Sequence, residues 1–210
     1  MDIIKIVQEK MSQNTYLIVK DDKDAVLIDA GVYVGQIEEH LKMYAHKPKI
    51  HAVLLTHSHF DHIEELDNIV NKYGCEVYIH ETGKKHLSDP NKNLSCLDVP
   101  FKIKTKGIKT FVDGEELNFN NINVICYNTP GHSVDSSCFV IGDNMFTGDT
   151  VFKVEVGRTD LFSGSSNVQR ITLERIRDEL SESIKMFYPG HGPNYDRDDL
   201  EYNLQRTLGE

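Results

Sequence analysis

Four potential metal donors fall within six residues of this chain: His57, His59, Asp61 and His62, in Thr56-His57-Ser58-His59-Phe60-Asp61-His62. Three further donors stand in short turn-like segments. They are His132 after Thr129-Pro130-Gly131, Asp149 after Thr147-Gly148, and His191 between Gly190 and Gly192. Neutral imidazole with carboxylate suits Zn²⁺ and its borderline neighbours, whereas an all-oxygen set suits Mg²⁺ or Ca²⁺. Two such ions held about 3.5 Å apart can ionise a water and polarise a carbonyl, which is the equipment of a hydrolase. Without a metal, so many titratable groups packed together would each cost several kcal/mol.

The elements around these residues place them at strand ends. Ala52 to Leu55 is an apolar run that reads as a buried strand, so His57 begins as the chain leaves the sheet. Ile63, Leu66, Ile69, Val70 and Tyr73 then recur at helical spacing, with Gly74 placed to end the helix. The donors thus occupy a tight turn between strand and helix, in which His57 and His59 can converge on one ion while Asp61 and His62 face another. Further strands are expected near Ile3–Val7, Thr15–Val19, Ala25–Ile28, Val77–Ile79, Ile122–Tyr127, Ser137–Ile141 and Asn144–Thr147. Helices are marked by Ile37 and Leu41, by residues 82–87, by Leu173, Ile176 and Leu180, and by Leu200, Leu204 and Leu208. The alternating lysines of Phe101-Lys102-Ile103-Lys104-Thr105-Lys106 read as an edge strand with a charged outer face. Strand runs clustered in each half, each followed by helix, imply two sheets face to face with helices outside.

Taken in order, Asp29-Ala30-Gly31, the 57–62 motif, Pro130-Gly131-His132-Ser133, Gly148-Asp149-Thr150, Gly157-Arg158-Thr159-Asp160-Leu161 and Pro189-Gly190-His191-Gly192 resemble the metallo-β-lactamase-fold hydrolases. Within that superfamily the chain is similar to a short glyoxalase II, a hydroxyacylglutathione hydrolase. The resemblance covers nearly the whole length. It implies an αββα sandwich with the metal site at one edge of the two sheets. It also implies a ligand scheme in which His57, His59 and His132 hold the first ion, Asp61, His62 and His191 the second, and Asp149 bridges them. Zinc is the first choice for both, with iron or manganese served by the same donors. The expected reaction is cleavage of an acyl thioester such as S-D-lactoylglutathione by a metal-bridging hydroxide.

The resemblance also sorts the branches. An aspartate after Gly148 departs from the second-metal ligands usual in true β-lactamases, and His59 stands where the di-iron flavoproteins carry glutamate. A related mono-iron persulfide dioxygenase, which would use His57, His132 and Asp149, is the alternative. A non-catalytic lactone-binding module is a third reading. Asp61 is the candidate for steering the water and moving its proton. Asp29 either orients a ligand histidine or accepts backbone amides in its own turn. Arg158 either grips a substrate carboxylate or pairs with Asp160. The family's tyrosine soon after the last histidine is replaced here, since Gly192, Pro193 and Asn194 follow His191. No Gly-x-Ser-x-Gly elbow surrounds Ser58, which argues against a serine nucleophile.

With 210 residues, 39% of them hydrophobic and 27% charged, the chain suits one sizeable domain over 1–210. A net charge of −10 argues against nucleic-acid binding. No long apolar stretch suggests a membrane span, and a cytoplasmic location follows as the expectation. The partner expected is therefore a small-molecule thioester, and oligomeric state is not fixed. Cys75, Cys96, Cys126 and Cys138 lack a Cys-x-x-Cys pair and read as buried reduced thiols. His40, His46, His51, His80 and His86 read as surface or capping residues.

Overall fold

A computed structural model describes residues 1–209. Two six-stranded sheets pack face to face. The first runs in the order β1 (Asp2–Val7), β2 (Asn14–Lys20), β3 (Asp24–Ile28), β4 (Lys49–Leu54), β5 (Glu76–His80) and β6 (Lys109–Phe111). The second has β7 (Glu115–Phe119), β8 (Ile122–Asn128), β9 (Ser137–Ile141), β10 (Asn144–Gly148), β11 (Met186–Pro189) and β12 (Tyr195–Asp196) in sequential order. Helices α1 (Val34–Leu41), α2 (Phe60–Ile63) and α3 (Leu66–Tyr73) belong to the first half; α4 (Ser166–Arg175), continued by a π-helical turn Ile176–Leu180, and α5 (Arg197–Leu208) belong to the second. This is the αββα sandwich that the resemblance implies.

The central strands read as continuous apolar runs because both of their faces are covered. On β2, Leu17 and Val19 face the helical layer of the first half, while Tyr16 and Ile18 face the second sheet. Between the sheets, Ile28, Leu54, Phe111, Phe139 and Phe146 close the inner core. Beneath α4 and α5, Met145, Leu173, Phe187, Leu200 and Leu204 form a third cluster. Each fully buried side chain of this kind stabilises by about 1.5–3 kcal/mol.

Strand direction decides where the chemistry gathers. β3, β4 and β5 are parallel. In the second sheet β8 and β10 each run antiparallel to β9, and β10 runs parallel to β11. The C-terminal ends of β8, β10 and β11 therefore share one edge, where open sheets leave space for ligands.

The structure corrects several expectations. The helix after the motif breaks in two, because the Ala30 turn takes both its hydrogen-bonding groups: Ala30 N–H donates to His62 C=O at 2.8 Å, and Glu65 N–H to Ala30 C=O at 2.9 Å. Residues 101–106 form no strand; the amides of Lys104 and Thr105 donate to the Asp67 carboxylate, at 2.9 and 2.8 Å, instead of to a neighbouring strand. The edge of the first sheet is β6, three residues further on. Residues 82–87 are successive turns, not a helix. The short strands β6, β7, β11 and β12 had no clear periodic signal. Cys96 is exposed, while the other three cysteines are buried. Among the described residues, no helix is long and apolar enough to cross a membrane.

Candidate metal centre

All seven donors come together at that edge. His57 to His62 follow β4, His132 lies in the β8–β9 loop, Asp149 directly follows β10, and His191 follows β11. Their ligand atoms fall into three overlapping groups: His57, His59 and His132; His57, His62 and Asp149; and Asp61, His62 and His191. His132 Nε2 is 2.9 Å from His59 Nδ1. Asp149 reaches both sides, with Oδ1 3.3 Å from His62 Nε2 and Oδ2 3.7 Å from His132 Nε2 and 3.6 Å from His191 Nε2. Asp61 Oδ2 lies 3.2 Å from His191 Nε2 and 3.7 Å from His62 Nε2.

These atoms fit a divalent metal. His57 Nε2, His62 Nε2 and Asp149 Oδ1 are buried and have no hydrogen-bond partner, a cost of about 1–3 kcal/mol per group unless something compensates. Imidazole nitrogens and carboxylate oxygens converging at 2.9–3.7 Å suit a divalent ion. Packed this closely, the donors shift one another's ionisation. Burial, with His62 and His59 alongside, holds His57 well below its ordinary range. Burial and the neighbouring His132 bring His59 down to about 4. Burial also opposes the charged forms of His62 and Asp149, yet Asp149, Asp61 and Asp29 hold His62 well above its usual range, and His62 with His191 and His57 hold Asp149 well below.

The surrounding groups fix ring orientation. Asp29 faces a candidate ligand histidine, and the backbone amide it accepts is that of Thr56, not one in its own turn. Its carboxylate takes His62 Nδ1–H at 2.8 Å and the Thr56 backbone N–H at 2.7 Å, with Thr56 Oγ1 2.9 Å away. With Nδ1 protonated, His62 presents its Nε2 lone pair inward. To do so Asp29 adopts φ 64°, a left-handed conformation that aspartate tolerates better than most residues. His132 Nδ1–H donates to the Arg158 carbonyl at 2.7 Å. Gly190 is required by close approach: a Cβ there would sit 2.2 Å from Asp149 Oδ1 and 2.7 Å from His62 Cε1. Gly148, at φ 48°, would meet Thr56 Cβ at 2.6 Å.

Several participants were not singled out from the sequence. Asn14 N–H donates to Gly190 C=O at 2.7 Å, and Asn14 Nδ2 and Tyr16 Oη donate to Pro189 C=O at 2.9 and 2.7 Å, pinning the His191 turn to the first sheet. A polar residue heading an apolar strand was the available signal. His80 and His86 are buried, not surface residues. His86 Nδ1 lies 3.6 Å from Oδ1 of the fully buried Asp135 and 3.4 Å from Ser58 Oγ. This is no catalytic triad, since serine and aspartate face the same ring nitrogen and the imidazole cannot relay a proton between them. Arg158 lines the cavity over the donors, but its Nε and Nη2 lie 2.7 and 2.8 Å from the two Asp160 oxygens.

A sandwich of this topology with a histidine–aspartate metal cluster at one edge defines a class of metalloproteins. Residues 9–191 match the metallo-beta-lactamase superfamily, and the chain belongs to it. It is 31% identical over 186 residues to the probable metallo-hydrolase YqgX of Bacillus subtilis (strain 168), covering 87% of this chain and 86% of that protein. It is 34% identical over 203 residues to the probable metallo-hydrolase M6_Spy0554 of Streptococcus pyogenes serotype M6, covering 92% and 85%. The crystal structure of the BLEG-1 B3 metallo-beta-lactamase superposes with a TM-score of 0.88 at 26% identity, over 100% of both chains.

Proposed function

We propose that this metallo-hydrolase cleaves an acyl thioester, the class to which S-D-lactoylglutathione belongs, at a centre of two divalent ions. His57, His59 and His132 would hold one ion, Asp61, His62 and His191 the other, with Asp149 between them; zinc is the first choice. The observation that carries the reading is the convergence of seven donors in three overlapping groups, with His57 Nε2, His59 Nε2, His62 Nε2 and Asp149 Oδ1 buried and without a hydrogen-bond partner. Ions held there supply Lewis acidity and an ionised water at neutral pH. Asp61 lines the cavity floor. As a carboxylate beside the proposed ions, it would accept a hydrogen bond from the attacking water and take its proton. Ser58 is buried against His86, away from any nucleophilic role.

The test is metal analysis of protein purified without added metal, with thiol release from S-D-lactoylglutathione followed on the same sample. About two metals per chain, with turnover lost on chelation and restored by metal, is the expected result. No thioester turnover with zinc, iron or manganese would refute it. One iron per chain with oxygen consumed on glutathione persulfide would establish the dioxygenase alternative. Because of the likeness to a B3 metallo-beta-lactamase, a chromogenic cephalosporin belongs in the same panel; hydrolysis of it in preference to thioesters would place the chain with the β-lactamases.

A further inference from the structure

The cavity above Asp61, Asp149 and His191 measures about 610 Å³, and its walls are largely apolar: Met11, Leu94, Leu97, Phe152, Val156 and Leu161. Two of these, Leu97 and Met11, lie outside the apolar cores of the fold. Leu97 is 68% exposed and Met11 42% exposed, so neither contributes much to a core. Surface leucine and methionine at the mouth of a catalytic cavity are explained when a ligand covers them.

The charges of the mouth point the same way. It has two cations, Lys10 and Arg158, and each already faces an acid. Lys10 pairs with Asp98, joining the β1–β2 turn to the loop that carries Leu97. Arg158 is held on Asp160 through two hydrogen bonds. Glu155 adds a third acid to the rim, in a chain whose net charge is −10. A ligand carboxylate here would exchange one carboxylate for another on Lys10 or Arg158 and would face the remaining acids. An uncharged chain laid against Met11, Leu97 and Phe152 removes apolar surface from water without disturbing either pair.

We infer that the mouth selects thioesters with an apolar, uncharged acyl chain and a thiol arm without carboxylates, in preference to glutathione thioesters. This deepens the thioesterase reading and rests on it. The acyl chain lies along the Met11–Leu97 wall, and the carbonyl is presented to the donors on the floor.

Two measurements and one variant test it. On metal-loaded protein, kcat/KM is compared for acetyl, butyryl and hexanoyl thioesters of N-acetylcysteamine and for S-D-lactoylglutathione. It should rise by up to about fourfold per methylene buried, with the hexanoyl ester preferred to lactoylglutathione. A flat series, or preference for lactoylglutathione, overturns the inference. In parallel, calorimetry compares binding of two unreactive thioethers, S-hexyl-N-acetylcysteamine and S-hexylglutathione. The uncharged one should bind more tightly; the reverse order overturns the inference whatever reaction the site performs. Absence of all thioester turnover combined with tighter binding of the uncharged thioether would count against the thioesterase reading and leave the selectivity standing. Leu97→Lys, at an exposed position that the fold does not need, should lower the hexanoyl-to-acetyl ratio. An unchanged ratio removes Leu97 from the wall and overturns the assignment.

Discussion

Asp29→Asn separates what the turn needs from what the metal centre needs. Asparagine matches aspartate in shape and tolerates φ 64°, and its carbonyl still accepts the Thr56 N–H now bonded at 2.7 Å. The change falls on the other oxygen, which takes His62 Nδ1–H at 2.8 Å. An amide NH₂ there sets donor against donor. If the ring keeps its tautomer, a charge-assisted hydrogen bond of about 1.5–3 kcal/mol is lost. At about 2–4 °C per kcal/mol for a chain of 210 residues, Tm of the metal-free protein then falls by about 3–12 °C. If the ring switches tautomer to accept from the amide, much of that loss is avoided. Nε2 then bears the proton, and its lone pair is no longer available 3.3 Å from Asp149 Oδ1. Metal binding suffers in both cases, by about 10–100-fold. Thermal unfolding by circular dichroism gives the first quantity, and competition against a chromophoric chelator gives the second. Wild-type metal affinity in the asparagine variant would show that Asp29 serves only the turn, and the orientation argument would fail.

Gly190→Ala should weaken metal binding by at least about tenfold while leaving the far-ultraviolet spectrum intact, because its Cβ would land 2.2 Å from Asp149 Oδ1; the same chelator competition reads it. His86→Ala strips the fully buried Asp135 of the imidazole 3.6 Å away. It should cost about 3–5 kcal/mol in urea unfolding, with much of the loss recovered when Asp135→Asn is added; no recovery would mean that the two groups do not compensate each other. Asp24 accepts from His51 Nε2 at 2.6 Å and Asn120 Nδ2 at 2.7 Å, and those bonds hold its carboxyl below the ordinary range. A folded-state value below the unfolded one gives stability that is complete above the unfolded pKa of about 3.9 and lost as pH falls through the folded value. Urea midpoints should therefore drop more steeply with acidification from about pH 5 in the wild type than in Asp24→Asn, and equal slopes would remove Asp24 from the acid limb.

The sequence by itself marked the seven candidate donors, the strand ends that carry most of them and the two-sheet class, since those rest on local chemistry and on the period of burial within one element. The apolar runs at Thr15–Val19 and Ala52–Leu55 are legible because strands covered on both faces are apolar throughout. The same local logic misread residues 101–106. Alternating lysines describe a strand's two faces but not whether a neighbour exists to pair with, and there the Asp67 carboxylate takes the amides. It also passed over Asn14, His86 and Asp135, whose partners are 176, 49 and 49 residues away in the chain. Only the tertiary structure decided that four separate strand ends meet at one edge, that Asp149 lies between two histidine groups, that Asp29 reaches His62, and that Arg158 rests on Asp160. Periodicity reports which way a side chain faces within its own element, whereas these contacts follow from the packing of one sheet on the other and the direction of each strand within it.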